Sequence, residues 1–189
     1  MFKIGVLSDT HGLLRPQAEA MLEGTDHIIH AGDIGDPGIV PRLRRIAPVT
    51  AIRGNVDTDD WAAAFPERAT VDLGGRMFHV IHDLKQLALD PVSQGFSGVI
   101  AGHSHRPDVR TIDGVLQLNP GSAGRRRFKL PVTLATIHLS DDGMNVQIHA
   151  IPTALTNRAV TPGHPQFSLR RRTASPKAST TARRRPPAG

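Results

Sequence analysis

Phe2-Lys3-Ile4-Gly5-Val6-Leu7 followed by Ser8-Asp9-Thr10-His11-Gly12 is an apolar run that breaks into a turn carrying a carboxylate and an imidazole two residues apart. The run reads as a buried strand. Asp9 and His11 are therefore delivered where a strand ends, the edge at which open α/β sheets usually bind their ligands. Four later stretches repeat the design: Ala31-Gly32-Asp33, Arg53-Gly54-Asn55-Val56-Asp57, Ile81-His82-Asp83 and Ala101-Gly102-His103-Ser104-His105. Each brings Asp, Asn or His to the end of an apolar run. Five such deliveries from separate parts of the chain point to one metal site.

The segments between them set the fold. Residues 13–22 read as a short helix, with Pro16 tolerated in its first turn and Gly24 as its stop. His27-Ile28-Ile29-His30-Ala31 reads as a second strand. Asp36 and Pro37 read as N-cap and first helical position, and Ile39, Val40, Leu43 and Ile46 give that helix one apolar face. Pro48 ends it, and residues 49–52 form a third strand. Strands alternating with helices argue a parallel βαβ layer. The pattern then changes to hairpins: 71–73 with 77–81 around Gly74-Gly75, 109–112 with 115–118 around Asp113-Gly114, and 132–139 with 144–151 around Asp141-Asp142-Gly143. Residues 99–101 read as a short buried strand. Helices early and hairpins late predict two sheets packed together, with helices outside.

A chain of 189 residues is long enough for one domain with a sizeable core. Hydrophobic content of 39% and a mean hydropathy of -0.22 suit a soluble protein, and no run of about 18 apolar residues spans a membrane. The N-terminus enters a strand directly, without the basic region and cleavage site of a signal peptide. The absence of cysteine excludes thiolate metal sites and fits a reducing cytoplasm. Any metal is thus held by oxygen and imidazole nitrogen. The net charge of +6 is unevenly spread. Eight of the 23 Lys and Arg lie from Arg158 on, and no acid follows Asp142, so a body near -2 carries a tail of +8. The expected organisation is a domain over residues 1–152 and a disordered basic tail, rich in Pro, Ser, Thr and Arg, over 153–189. The body is not a nucleic-acid binder by composition; only the tail offers such a contact.

Taken singly, the polar residues are ambiguous. Asp9 and Asp33 fit helix caps or turns as well as ligands, and Asn55 fits a turn. His103 and His105 are more specific, because two rings in one loop can converge on a metal pair. His82 ends a strand in which His79 also alternates. His30 is a candidate buried partner for the Asp33 loop. His79, His138, His149 and His164 are expected at surfaces or edges, Trp61 as a packing anchor, and Arg125, Arg126 and Arg127 in solvent. Together Asp9, His11, Asp33, Asn55, His82, His103 and His105 supply seven ligands, about the number that two metals sharing one carboxylate need. Two ions about 3.5–4 Å apart bind a bridging hydroxide and the free oxygens of a phosphate, and no protein nucleophile is required.

The order Asp-Thr-His, Gly-Asp, Gly-Asn-x-Asp, His, Gly-His-Ser-His resembles the calcineurin-like metallophosphoesterase superfamily, and Asn119-Pro120-Gly121-Ser122 is similar to its small bacterial and archaeal phosphodiesterase branch. The resemblance covers about residues 1 to 151. It implies a four-layer α/β/β/α sandwich of two mixed β-sheets flanked by helices, and two divalent cations: manganese first, with zinc, iron or nickel as alternatives. By that resemblance Asp9, His11 and His105 hold one ion and Asn55, His82 and His103 the other. Asp33 bridges them, and Asn55 also meets the substrate phosphate as a catalytic residue. The implied activity is a phosphodiesterase on a small or nucleotide-like diester, attacked by a metal-bridging hydroxide. The rivals are a phosphomonoesterase on the same site and a non-catalytic protein-binding scaffold of the same fold; a homo-oligomer stays open. Two positions depart from the family pattern. Val56 stands where much of the superfamily has His, and Asp83 where Gly is common.

Overall fold

The computed structural model describes residues 1–127 and 129–153. The tail expected from residue 153 therefore lies, beyond its first residue, outside the described part, as does His164. Two five-stranded sheets form the frame. The first has the order β10-β9-β1-β2-β3 and the second β4-β5-β6-β8-β7. The strands are β1 Phe2–Leu7, β2 His27–Ala31, β3 Val49–Ile52, β4 Arg68–Leu73, β5 Arg76–Ile81, β6 Gly98–Ile100, β7 Asp108–Ile112, β8 Val115–Asn119, β9 Thr133–Ser140 and β10 Gly143–Ala150. Both sheets are mixed. β1 runs parallel to β2 and antiparallel to β9, while β5 runs parallel to β6 and antiparallel to β4.

Alternation along the strands sorts the layers. Ile4 and Val6 of β1 face the second sheet, where they join Ile29, Ile52, Phe78, Val80, Ile100 and Leu118 in one dry cluster. Leu7 and Ile28 face the other way and meet Ala18, Leu22, Val40 and Leu43. Those four come from α1 (Pro16–Leu22) and α2 (Ile39–Leu43), which cover the outer face of the first sheet. Each such fully buried aliphatic side chain contributes about 1.5–3 kcal/mol relative to exposure. The outer layer on the second sheet is slender. A single 3-10 turn, Leu84–Gln86, and the coil after it carry the parallel crossover from β5 to β6, with Leu87 resting on Ile81, Val99, Ala101 and Val115. Asp90, Pro91 and Gly95 punctuate that segment and deny it a helical period.

Local chemistry moves some expected boundaries. α1 starts at Pro16 itself, because Arg15, preceding a proline, stays extended at φ -76 and ψ 139. α2 starts at Ile39 rather than at Pro37. The Asp36 carboxylate accepts the Gly38 N–H at 2.7 Å, a local turn that competes with capping, and Gly38 becomes the cap. Ile46 falls outside α2 and is half-buried. The hairpin turns follow expectation: Gly74 and Gly75 both have positive φ, as do Asp113 and Gly114.

His79 corrects the expectation of a surface or edge ring: it is buried, 5% exposed. β5 lies between β4 and β6, and the crossover lays Phe96 on the His79 ring at 5.3 Å between centroids, while Nδ1 lies 3.2 Å from Thr70 Oγ1. His138 and His149 are half-buried on β9 and β10. Trp61 packs as an anchor, half-buried against the α1/α2 cluster with Phe65 edge-on at 6.2 Å.

Candidate metal centre

Parallel pairing puts the C-terminal ends of β1, β2 and β3 on one edge, and the same holds for β5 and β6. Asp9 and His11 follow β1, Asp33 follows β2, Asn55 follows β3, His82 follows β5, and His103 and His105 follow β6. The backbone there is unusual. Asp9, His11, Asp33, His103 and His105 have φ of 55, 45, 54, 66 and 57. Among the described non-glycine residues only Asp113 shares that region. Such conformations cost about 1–2 kcal/mol each and persist where the surroundings over-determine them. Here Asp9 N–H donates to Gly32 O at 3.0 Å, His11 N–H to Asp33 O at 3.0 Å, and Gly102 N–H to His82 O at 2.9 Å. These bonds stitch the ligand loops directly to one another.

The side chains converge in two close triads, Asp9–His11–His105 and Asp9–Asp33–His82, each with one donor atom per residue within 4.8 Å of the others. His11 Nε2 lies 3.2 Å from His105 Nε2, and His105 Nε2 lies 3.3 Å from Asp9 Oδ1. The two Asp33 oxygens face different halves: Oδ1 is 3.2 Å from His82 Nε2, and Oδ2 is 3.8 Å from His11 Nε2. Asp9 offers a single free oxygen, because its Oδ2 already accepts Ser8 Oγ–H at 2.6 Å and His103 N–H at 3.1 Å. His103 and Asn55 sit at the rim. There they meet each other at 3.0 Å, Nδ1 to Oδ1, with the His103 ring edge-on to His82 at 5.3 Å. All seven candidate residues thus line one edge, five of them in close triads and two as a rim pair. Asp83 Oδ2 stands 3.9 Å from His103 Nε2, and its Oδ1 accepts the Lys85 N–H.

Behind this layer lies a set of supports. His82 Nδ1–H donates to Ala31 O at 2.8 Å, which aims Nε2 inward. Thr10 Oγ1 donates to Ile34 O at 2.9 Å, so the N–H at Nε2 of fully buried His30 donates to Thr10, also at 2.9 Å. His30 therefore serves the Asp33 loop through Thr10. Asn119 donates to Gly102 O at 2.6 Å and steadies the His103 loop. Gly32 and Gly54 allow the close approach: a Cβ on Gly32 would stand 2.6 Å from His82 Nδ1, and one on Gly54 would collide with the Asp33 backbone nitrogen and carboxylate. Asp57 closes the Gly54-Asn55-Val56-Asp57 motif, and nothing in the sequence assigns it a role. It is 3% exposed, and its carboxylate accepts N–H groups from Ile34 at 2.9 Å, Gly35 at 2.7 Å and Gly54 at 2.8 Å. It ties the loop bearing Asp33 to the loop bearing Asn55.

The electrostatics suit cations. Burial pushes the Asp9 carboxyl up to about 6. Burial opposes charge on Asp33 and His82 as well, but their mutual contact outweighs it, holding Asp33 below and His82 above their ordinary values. Burial, then the neighbouring His11 ring, brings His105 down to about 4, and burial brings His30 down to about 3. Burial holds His11 low as well, with the positive charge of Arg127 adding to it. Arg125, Arg126 and Arg127 themselves are exposed. Asp9 Oδ1 and His82 Nε2 are buried without a well-aligned hydrogen bond, their nearest polar neighbours being His105 Nε2 at 3.3 Å and Asp33 Oδ1 at 3.2 Å. A hard-to-borderline divalent cation satisfies both, and the all-oxygen-and-imidazole donor set fits manganese, iron or zinc.

Binding such a cation requires Asp9 ionised and His82 neutral. Asp9 takes up a proton as pH falls through about 6, and the raised His82 already holds one above its ordinary range, so protons compete with metal on both. Apparent metal affinity should fall by about tenfold or more per pH unit below pH 6. Calorimetric titration with manganese between pH 7.5 and 5 measures this; a flat profile would exclude Asp9 as a ligand.

A match to the calcineurin-like phosphoesterase superfamily domain covers residues 2–142. A probable metallophosphoesterase of Methanothermobacter thermautotrophicus is 30% identical over 162 residues, 79% of this chain and 92% of its own. Among solved structures, an archaeal phosphodiesterase superposes with a TM-score of 0.66 at 23% identity, over 78% of this chain and all of the other. Vps29 of Entamoeba histolytica complexed with zinc superposes at 0.61 and 18% identity, over 80% of this chain and all of the other. At those identities the structures speak to fold alone.

Proposed function

The chain belongs to the calcineurin-like phosphoesterase superfamily, a family of metal-dependent hydrolases, and from that premise we propose that it is a phosphodiesterase acting on a small or nucleotide-like diester. Two divalent cations, manganese by preference, serve as cofactors on this reading. Asp9, His11 and His105 hold one, Asn55, His82 and His103 hold the other, and Asp33 stands between. The observation that carries the reading is the orientation of Asp33, whose two oxygens address histidines from different sheets and different halves of the site. All seven positions carry donor residues, which favours an enzyme over a protein-binding scaffold of the same fold.

Bound divalent ions supply Lewis acidity toward phosphoryl oxygens and acidify water. The chain's own groups do the rest. Ser8 and Thr10 hydroxyls are buried and committed to Asp9 Oδ2 and Ile34 O, so neither serves as a nucleophile, and there is no cysteine; on this reading hydroxide from water attacks phosphorus. Asn55 turns Oδ1 toward His103 and keeps its amide N–H groups for a phosphoryl oxygen, which orients the ester and takes up charge as the transition state forms. Val56 is 43% exposed and carries no proton to give the departing oxygen, so esters with good leaving groups are preferred. No helix among the described residues is long and apolar enough to cross a membrane; on this reading the protein works in the cytoplasm on a diffusible substrate.

Hydrolysis of bis(4-nitrophenyl) phosphate should be stimulated by manganese, abolished by chelation and restored on reloading. It should exceed hydrolysis of 4-nitrophenyl phosphate by roughly tenfold in kcat/KM. The reverse ranking would mean a phosphomonoesterase, and activity toward neither ester with metal bound by elemental analysis would remove the enzymatic reading.

A further inference from the structure

A pocket of about 230 Å³ adjoins the rim of the metal centre. Asn55, His82 and His103 line it together with Arg53, Glu67, Arg68 and Asp83. We propose that this pocket is a subsite for an anionic arm of the substrate, recognised by Arg68. The substrate class is thereby narrowed to phosphodiesters bearing a second negative group, a phosphate or a carboxylate, on an ester arm. This rests on the phosphodiesterase reading.

The position of Arg68 is set by strand pairing. It opens β4 and pairs with Ile81, the residue before His82. Its guanidinium is therefore rooted on the sheet, at the same edge as the candidate ligands. The charges around it do not cancel it. Arg53 is paired with Glu67 at 2.7 Å. Asp83 also lines the pocket, but its carboxylate is engaged there, with Oδ2 3.9 Å from His103 Nε2 and Oδ1 accepting the Lys85 N–H at 3.0 Å. Arg68 forms no ion pair among the described residues, and the one hydrogen bond of its guanidinium, to Gln86 O, is long at 3.4 Å. An exposed guanidinium with four further N–H donors, lining a cavity that opens onto the phosphate position, is a ready receptor for a carboxylate or phosphoryl group. The pocket volume suits one ring or one sugar whose charged substituent meets Arg68 while the scissile phosphate is held at Asn55.

The test compares bis(4-nitrophenyl) phosphate with bis(3-carboxy-4-nitrophenyl) phosphate on the manganese-loaded full-length protein. The two esters differ by one carboxylate on each ring, so whichever arm enters the pocket is charged. The unaltered protein should favour the carboxylated ester by about tenfold in kcat/KM, the size of one charge-assisted contact at a partly exposed site. Arg68→Gln should bring that ratio close to one, and Arg68→Lys should restore part of it. Because both esters report on the same variant, a general loss of activity cancels in the ratio. Independently of turnover, 5-hydroxy-2-nitrobenzoate should shift the Arg68 Nε–Hε resonance where 4-nitrophenol does not. A missing preference, or one that survives Arg68→Gln, overturns the subsite and leaves the diesterase standing. Hydrolysis of neither ester with metal bound takes both readings down.

Discussion

Asp33→Asn abolishes metal-dependent hydrolysis, with kcat/KM falling by about 10³-fold or more, well beyond the 10–100-fold typical of losing an outer support. The substitution keeps the shape of the side chain and one oxygen for the Val56 N–H, which Asp33 Oδ1 accepts at 3.1 Å. What it removes is the second oxygen and the charge. With that oxygen kept for Val56, 3.2 Å from His82, the amide NH2 takes the place of Oδ2 and faces His11 at 3.8 Å. A cation between Asp33 and that histidine then meets a donor instead of an acceptor. The charge matters further because Asp33 does most to raise His82, ahead of Ala31 O and Asp9. Without it the burial of His82 is less opposed and the ring holds its proton less tightly, so metal uptake at pH 7 releases fewer protons than in the parent. Elemental analysis should show under-occupancy, while circular dichroism stays unchanged because the backbone bonds of the Asp33 loop are retained. A variant with full activity and full metal content would remove Asp33 from its place between the ions.

Much of this is legible in the sequence, and the reason is local. A strand that ends in a turn declares itself through its apolar run and the glycine after it. Residues such as Asp9, Asp33 and Asn55 inherit their place from that pattern alone. The three hairpins are equally plain, since Gly74-Gly75, Asp113-Gly114 and Gly143 supply the positive φ their turns require. What could not be read are features decided by partners far away in sequence. His79 alternates along β5 exactly as a surface residue would, and its burial depends on Phe96 folding back across the sheet. His103 and His105 look equivalent in a loop. Yet His105 enters a close triad while His103 stays at the rim against Asn55, a difference set by the backbone path after β6. The slender outer layer over β5 and β6 follows from a segment whose lack of helical period was visible but whose consequence for layering was not.

Asp57 is the most consequential of the residues hidden in this way, because its partners lie 22 and 23 positions back in the chain as well as three. Asp57→Ala should lower stability by about 4 kcal/mol: it orphans three backbone donors, two of them now served at 2.7 and 2.8 Å, and hydrogen bonds to charged groups are worth about 1.5–3 kcal/mol each without full additivity. For a domain of this size that corresponds to a fall in Tm of about 12 °C. The same change frees the loop carrying Asp33 from the loop carrying Asn55, so manganese affinity should drop about 10–100-fold. Asp57→Asn keeps one acceptor and should fall between. Asp59→Ala provides the control. Asp59 is exposed and makes no side-chain capping bond, so its loss should stay within about 0.5 kcal/mol. Thermal melts of the metal-free proteins separate the two roles of Asp57, since a residue that only braced the fold would lower Tm without changing affinity in the variants that remain folded at 20 °C. An Asp57→Ala protein with an unshifted melt and parental manganese binding would show that the ligand loops keep their register without it.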